Sequence, residues 1–424
     1  MKQKIFILGL DGMPYSLLKS NYIKTLMPNL TKLCSSENSK SMNSVYPVVS
    51  SVAWTGFATS VNSGKHGIYG FVDKNNNPFY LRVPTSRDRL VDTIWNKLSK
   101  KKKVFVINVP LTYPPEAING KMVSCFLCPD MKKLTYPENY YKQLENMDYI
   151  IDVDASHIKS DRIALLKQII HAMKVRFHVA FELLKNEEWD YMQLHIMETD
   201  RLMHFYYNNI GCFHDNLEND YVNSFFKRLD YYIGELISQL DEDVKVIILS
   251  DHGMCKIESE IQLNTWLKDI GFLKFDQTNA NSIENYSRES LCYSLTPGRI
   301  YINLKGREER GSVEQDNYLT IRNEIKSKLL EMTYRNTTVP IMNNVMFREE
   351  IYSTEDLELA PDIIAHPKDG FDLKSTVGVD EVFTKSDLNG MHTYNDAMIA
   401  GINIDITSVE EITQVADLIL KHML

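Results

Sequence analysis

Three short apolar stretches of the chain each end at a carboxylate, and this repetition constrains the fold more than any other feature of the sequence. Apolar runs of this length, bounded by turn residues, are typical of strands buried on both faces of a sheet. The runs and the side chains that follow them are residues 4–10 before Asp11, residues 190–197 before Glu198 and Asp200, and residues 244–249 before Asp251 and His252. Because parallel strands present their carboxyl ends at one edge of a sheet, we expect these polar side chains to gather there.

Helical patterns alternate with the predicted strands. Apolar side chains recur at steps of three and four through residues 161–186 and again through residues 222–240, which indicates amphipathic helices. Strands that alternate with helices favour an α/β fold with a doubly wound, mostly parallel sheet flanked by helices.

The chain changes character after the third run. We predict a core formed by residues 1–255 and 356–424, and an inserted cap subdomain formed by residues 256–355, part of which is polar and low in hydrophobicity. The apolar segment at residues 361–367 (PDIIAHP) is expected to return the chain to the main sheet.

The polar residues at the strand ends are of the types that bind divalent metal ions. Carboxylate oxygens and imidazole nitrogens are the common protein ligands of such ions. The candidate ligands are Asp11, Asp200, His204, Asp251, His252 and His392. Asp200 and His204 are four residues apart, so a helix after the strand would place both on one face. These six side chains are enough to bind two ions. His195 lies inside the second run and is interpreted as a core residue.

Two hydroxyls precede a predicted helix of small residues at 52–60. A helix N-terminus offers unpaired N–H groups and a partial positive charge, which suit a hydroxyl that attacks and then carries a phosphoryl group. Ser50 and Ser51 are therefore candidate nucleophiles, and Ser50 is also a candidate metal contact. The alternative is that these serines only cap the helix.

The overall charge limits the classes of partner. A formal charge of -9 at neutral pH argues against binding a nucleic-acid polymer or an anionic membrane surface, although bound metal ions would still permit a small phosphorylated substrate. The six-residue apolar run near the N-terminus is too short for a secretory signal, and no apolar stretch is long enough to span a membrane. We therefore expect a cytoplasmic protein with no membrane association.

The residues resemble the alkaline phosphatase superfamily, and within it the type I phosphodiesterase and nucleotide pyrophosphatase group. The matching motifs are LDG at 10–12, SSVAW at 50–54, T-x-x-x-x-G-x-HGI at 59–68, E-x-D-x-x-x-H at 198–204, SDHGM at 250–254 and G-x-H at 390–392. The resemblance implies an alkaline phosphatase-like core in which one ion is held by Asp200, His204 and His392 and the other by Asp11, Asp251 and His252. It also places Ser50 at the nucleophile position, with Ser51 as the second choice, and implies two zinc ions, with manganese as an alternative.

The resemblance leaves the substrate open. In the nucleotide pyrophosphatases an Asn after the HGI segment helps to hold the phosphoryl oxygens, whereas Phe71 stands at that place here. We expect a dinuclear metal-dependent phosphate ester hydrolase that acts through a phosphoserine. A phosphomonoesterase, a phosphoryl transferase or a phosphomutase of the same superfamily is the alternative, and a non-catalytic, metal-stabilised binding protein is a more remote one.

Overall fold

The computed structural model describes residues 3–35, 37–213, 216–276, 281–353 and 357–424. The strands are β1 (Ile5–Leu10), β2 (Ser39–Met42), β3 (Asp73–Asn76), β4 (Phe79–Arg82), β5 (Val104–Ile107), β6 (Gly120–Val123), β7 (Thr135–Tyr136), β8 (Tyr191–Ile196), β9 (Lys245–Leu249), β10 (Gly253–Lys256), β11 (Ser259–Gln262), β12 (Cys292–Leu295), β13 (Arg299–Ile302), β14 (Met342–Phe347), β15 (Ile363–Pro367), β16 (Phe371–Lys374), β17 (Phe383–Thr384), β18 (Gly390–Thr393) and β19 (Ala397–Ile402).

The α-helices alternate with these strands along much of the chain. They are α1 (Tyr15–Leu18), α2 (Asn21–Leu26), α3 (Pro28–Leu33), α4 (Ser50–Thr59), α5 (Ser63–His66), α6 (Ile94–Ser99), α7 (Tyr141–Asn146), α8 (His157–Ser160), α9 (Arg162–Asn186), α10 (Glu198–Tyr206), α11 (Leu217–Ser238), α12 (Leu263–Asp269), α13 (Tyr318–Leu330), α14 (Arg348–Ile351) and α15 (Val415–Met423). No helix of the described ranges is both long and apolar enough to cross a membrane.

The main sheet has eight strands in the order β2-β19-β9-β1-β8-β5-β6-β7. Strands β9, β1, β8, β5 and β6 run parallel, and the antiparallel pairings lie towards the two edges. The three apolar runs of the sequence form the adjacent strands β9, β1 and β8, all fully or nearly fully buried. The α/β class with a mostly parallel sheet is thus confirmed, and the carboxyl ends of these three strands meet at the centre of one edge.

Helices cover both faces of this sheet because successive side chains of a strand point to opposite faces. Phe6 and Leu8 of β1 pack into the core that also contains the buried sides of α9 and α11. Ile5 and Ile7 pack on the other face, in the core that contains α4, α6 and α15. The alternation within one strand therefore divides the hydrophobic core into two layers.

A second sheet lies outside the main one, in the order β12-β13-β15-β14, and packs with α12 and α13 in a separate hydrophobic cluster. The prediction that residues 361–367 return to the main sheet is wrong, because β15 pairs with β13 and β14. The apolar pattern of residues 361–367 is compatible with a strand in either sheet, so the pattern alone could not show which sheet they join. The chain rejoins the main sheet at β19. The division into a core and a 256–355 cap stays a prediction.

Candidate active site

Asp11 directly follows β1 and is fully buried. Its Oδ2 accepts hydrogen bonds from Trp54 Nε1 at 2.9 Å and from His195 Nε2 at 2.8 Å. Its backbone carbonyl accepts a hydrogen bond from Thr199 Oγ1 at 2.6 Å. Trp54 and His195 therefore fix one oxygen of the carboxylate and Thr199 fixes the backbone, so that Oδ1 is left to face the neighbouring polar groups.

Ser50 is the first residue of α4, where Val49 occupies the N-cap position and makes no side-chain cap hydrogen bond. The helix thus begins two residues earlier than the sequence pattern predicts, and both serines lie in its first turn. Ser50 Oγ donates to Asp11 Oδ1 at 3.2 Å and lies 3.2 Å from His252 Nε2. Ser51 Oγ is buried and has no hydrogen-bond partner among the described residues. The geometry distinguishes the two hydroxyls, since that of Ser50 faces the candidate ligands.

Asp251 and His252 leave the end of β9 beside Asp11. Asp251 Oδ1 accepts a hydrogen bond from the backbone N–H of Gly12 at 3.1 Å, and its Oδ2 lies 3.3 Å from His252 Nε2. His252 Nε2 is 3.7 Å from Asp11 Oδ1. The first and third strands of the sequence pattern therefore bring Asp11, Asp251 and His252 together.

The remaining candidate ligands form an adjoining cluster. Asp200 and His204 lie on one face of α10, with Asp200 Oδ1 at 3.3 Å from His204 Nε2. The same oxygen lies 3.3 Å from His392 Nε2. His392 comes from β18, which pairs with β10 so that Met254 faces His392 across the ladder. The β10 and β18 ribbon thus carries a histidine from late in the chain to the corner formed by Asp251 and His252.

The histidines of the site are oriented as metal ligands usually are. Nδ1 of His204, His252 and His392 donates to the carbonyl oxygen of Gly390, Gly253 and Val48, at 2.8, 3.0 and 3.2 Å respectively. A carbonyl can only accept, so in each neutral ring the lone pair is on Nε2. His204 Nε2 and His392 Nε2 are 3.0 Å apart. Lone pairs that converge in this way repel one another unless a cation or a proton lies between them.

The donor set fits divalent metal ions. Ligand atoms of Asp11, Asp251 and His252 lie within 4.8 Å of one another, as do those of Asp200, His252 and His392. The resemblance assigns His204 rather than His252 to the second group, and the distances from His204 Nε2 to Asp200 and His392 place it equally within reach. Asp200 Oδ1 and Asp251 Oδ2 are buried and have no hydrogen-bond partner among the described residues. Unpartnered carboxylate oxygens are expected where an ion binds.

Burial and the neighbouring side chains shift the pKa values of these groups, acting together on Asp251 and His252 and against each other on Asp200. Burial, reinforced by the carboxylate of Asp11, raises the pKa of Asp251 well above its ordinary value. Burial would also raise the pKa of Asp200, but the facing His204 and His392 outweigh it and hold that pKa well below its usual range. Burial and the nearby His392 lower the pKa of His252 to about 3. A neutral His252 is the form that binds a metal.

A cavity of about 350 Å³ opens beside these clusters, and Ser50, Asp200, His204 and His392 line one end of it. Phe71 lines it as well. Its ring lies 5.5 Å from that of Phe126, in an edge-on arrangement. Much of the wall beyond the polar end is therefore aromatic or aliphatic.

Sequence reasoning missed two residues that contact Asp11. His195 is buried, as a core residue should be, but its Nε2 donates to the carboxylate. Trp54 received no role, although its spacing of four from Ser50 on α4 is a signal that could have placed both on one helix face. His195 faces Gly9 across the β1–β8 ladder, two residues before Asp11. Only the register of the β1–β8 pairing shows that the His195 side chain can reach the Asp11 carboxylate.

A family model described as type I phosphodiesterase / nucleotide pyrophosphatase matches residues 5–395. The chain belongs to this family. The resemblance read from the motifs is therefore confirmed, with the alkaline phosphatase superfamily as the wider group. Membership of the type I phosphodiesterase family indicates a hydrolase of phosphate esters, and members of the superfamily are metal-dependent. No curated protein sequence matches the chain.

Solved structures share the fold of this phosphodiesterase-family chain. Phosphonoacetate hydrolase from Sinorhizobium meliloti 1021, in complex with phosphonoacetate, has a TM-score of 0.64 at 14% identity, covering 100% of this chain and 96% of that one. Inactive murine ectonucleotide pyrophosphatase/phosphodiesterase 5, in complex with AMP, has a TM-score of 0.57 at 13% identity, covering 99% and 95%. The human form of that protein has a TM-score of 0.56 at 13% identity, with coverage of 99% and 95%. At these identities the likeness establishes the fold.

Proposed function

We propose that this chain is a dinuclear metal-dependent hydrolase of phosphate esters that acts through a phosphoserine on Ser50. The observation that carries the proposal is the position of the Ser50 hydroxyl, 3.2 Å from Asp11 Oδ1 and 3.2 Å from His252 Nε2, at the polar end of a cavity. A hydroxyl among unpaired carboxylate oxygens and imidazole nitrogens suits nucleophilic attack on phosphorus.

Two sets of side chains would hold the ions in this proposal. Asp11, Asp251 and His252 form one set, which Ser50 Oγ contacts, and Asp200, His204 and His392 form the other. Zinc suits these mixed nitrogen and oxygen ligands, and manganese is the alternative. When bound, such ions supply positive charge that lowers the pKa of a hydroxyl and balances the charge of a phosphoryl group and a leaving oxygen.

The chain's own residues account for the rest of the chemistry. Ser50 Oγ loses its proton to solvent and bonds to phosphorus while the bond from phosphorus to the ester oxygen breaks on the opposite side. The ester oxygen takes up a proton from solvent and leaves as an alcohol. Water then attacks the phosphoserine, which frees the phosphate and restores the Ser50 hydroxyl. The backbone N–H groups of Ser50 and Ser51, which have no acceptor among the described residues, are suited to hold a phosphoryl oxygen. Two in-line displacements predict net retention at a chiral phosphorus.

The substrate class follows from the family and the cavity. The related structures contain phosphonoacetate and AMP, both small molecules, and a cavity of about 350 Å³ lies in the range of small-molecule sites. We therefore propose a small phosphorylated compound, not a nucleic-acid polymer, as the substrate.

The test is turnover of phosphate mono- and diesters with zinc or manganese supplied, in the wild type and in two serine variants. Ser50→Ala is expected to lower kcat by about 10³-fold or more while retaining bound metal, because a nucleophile is lost. Ser51→Ala is the matched control and should keep most of the activity. Mass spectrometry of acid-quenched enzyme should locate phosphate on Ser50.

Loss of turnover with retained metal in Ser51→Ala alone would move the nucleophile to Ser51. Inversion at phosphorus would contradict the covalent intermediate. Transfer of the labelled phosphoryl group to an organic acceptor instead of water would make the protein a transferase or a mutase.

A further inference from the structure

Arg201 directly follows the candidate ligand Asp200 in the first turn of α10, and it lines the same cavity as Ser50. Its guanidinium is held on one edge by Asp152, with Nη2 donating to Oδ2 at 2.8 Å and Nε to Oδ1 at 3.4 Å. One of its faces lies over the ring of Phe126, 5.0 Å from the centroid. An ion pair and a ring contact together give this long side chain a defined position.

Arg201 lines the cavity, and Asp152 binds only its Nε and Nη2 groups. Asp152 is not among the residues that line the cavity, so it holds the guanidinium from outside. Nη1 has no hydrogen-bond acceptor among the described residues, and about a quarter of the side chain (24%) is exposed. An arginine whose position is fixed and whose remaining N–H groups are free is suited to bind an oxyanion.

Lys374, a second cationic side chain of the cavity, has its partner carboxylate inside the cavity. Lys374, on β16, lines the cavity, but so does Asp372, whose Oδ2 lies 2.6 Å from Lys374 Nζ. The charge of Lys374 is therefore balanced within the cavity itself, whereas the carboxylate that balances Arg201 lies outside it. Among the described residues that line the cavity, Arg201 is thus the cation with a free N–H group, next to an aromatic wall formed by Phe71 and Phe126.

We propose that Arg201 forms an anion subsite for the leaving group, and that the substrate is a phosphate ester whose leaving group carries a second anionic group, a carboxylate or a phosphate, on an apolar body. This inference rests on the proposed function and names the substrate class of the same site. The aromatic wall accommodates the body of the leaving group, while Arg201 Nη1 donates to its anionic oxygen.

The test uses aryl phosphates that differ at one position. The probes are 4-carboxyphenyl phosphate, 1,4-phenylene bisphosphate and the neutral 4-carbamoylphenyl phosphate, each with zinc or manganese supplied. Wild-type kcat/KM is expected to be at least about tenfold higher for an anionic ester than for the carboxamide, because the amide oxygen still accepts a hydrogen bond but carries no negative charge to pair with the guanidinium. The preferred anionic probe tells whether the group recognised is a carboxylate or a phosphate.

Variants separate recognition from catalysis. Arg201→Gln is expected to lower the ratio of kcat/KM between the anionic and the neutral esters from at least about tenfold to less than about threefold, mainly through a higher KM for the anionic esters. Lys374→Gln is the matched control and should keep the selectivity, since Asp372 already balances that charge. Inhibition of the wild-type enzyme by the leaving alcohols tests the subsite without a variant. We expect 4-hydroxybenzoate to inhibit at least about tenfold more strongly than 4-hydroxybenzamide.

The outcomes distinguish the two proposals. Equal wild-type turnover of the anionic and neutral esters, or equal loss on both in Arg201→Gln, would overturn the subsite and leave the hydrolase proposal standing. Hydrolysis of none of the esters with bound metal would overturn the hydrolase proposal and the subsite with it.

Discussion

The carboxylate of Asp11 depends on side chains that are not themselves candidate ligands. His195 and Trp54 both donate to its Oδ2, at 2.8 and 2.9 Å. Gly9 makes room for them, because a Cβ at that position would lie 2.7 Å from the Trp54 ring and 3.1 Å from His195. Loss of a group that orients a metal ligand in this way typically costs about 10- to 100-fold in metal affinity or activity.

Replacement of His195 by Leu is therefore expected to weaken metal binding about 10- to 100-fold, because Asp11 loses a donor that fixes its orientation. His195→Gln, which keeps an N–H donor, should recover part of the affinity. Competition with a chromophoric chelator measures the effect directly. His178→Gln on α9 is the control and should bind metal as the wild type does; equal affinity in His195→Leu would show that this hydrogen bond has no positioning role.

The sequence identified the candidate ligands, but it did not identify the side chains that hydrogen-bond to Asp11. Asp11, Asp251 and Asp200 could be found because each follows a buried strand, and His204 because it lies one helical turn beyond Asp200. His392 lies in a loop-like stretch without such a pattern, so its residue type made it a candidate ligand, and the family resemblance assigned it to the group of Asp200 and His204. His195 and Trp54 were not predicted to contact Asp11, because such a hydrogen bond depends on strand register and on the rotation of the helix. Residue spacing does not determine either of these.

The secondary elements were predictable where periodicity was long and clear. The pattern predicted a helix at residues 161–186, and α9 spans Arg162–Asn186. The first turn of α4 was missed because Ser50 and Ser51 have the composition of a helix cap, whereas Val49 occupies that position. The assignment of β15 failed because an apolar strand fits any sheet, so the partner strand is decided by tertiary packing.

An ion pair joins the hairpin of β3 and β4 to the turn after β13. Lys74 Nζ lies 2.7 Å from Glu308 Oε1, and the two side chains are 1% and 0% exposed. Lys74→Met is expected to lower the free energy of unfolding by about 3 kcal/mol, because it leaves a buried carboxylate without this partner. Chemical denaturation measures the change.

Two further variants make the test specific. Lys74→Met combined with Glu308→Gln should regain part of the lost stability, since the buried charge is also removed. Lys305→Met breaks a pair of similar length, 2.6 Å, whose side chains are 62% and 58% exposed, and it should change stability by less than about 1 kcal/mol. Similar losses in Lys74→Met and Lys305→Met would contradict the role assigned to burial.

At the scale of the whole molecule, metal binding and folding should be linked. Asp11, Asp200 and Asp251 are all buried, and cations that bind only the folded chain stabilise it. Zinc or manganese at about 100 times Kd is expected to add about 2.7 kcal/mol per site, and a chelator should reverse the gain. Thermal unfolding followed by circular dichroism measures this gain in stability. Metal should raise the Tm of Asp251→Asn less than that of the wild type. An equal rise would place the bound metal elsewhere.

The proposed hydrolase needs two metal sites beside Ser50, built from side chains at the ends of three strands and on the β10–β18 ribbon. Anomalous X-ray diffraction from crystals grown with zinc or manganese would locate the ions. We expect two anomalous peaks, one among Asp11, Asp251 and His252 and one among Asp200, His204 and His392, with Ser50 Oγ between them. Peaks remote from Ser50, or ordered crystals in excess metal with no peak in this cluster, would contradict it.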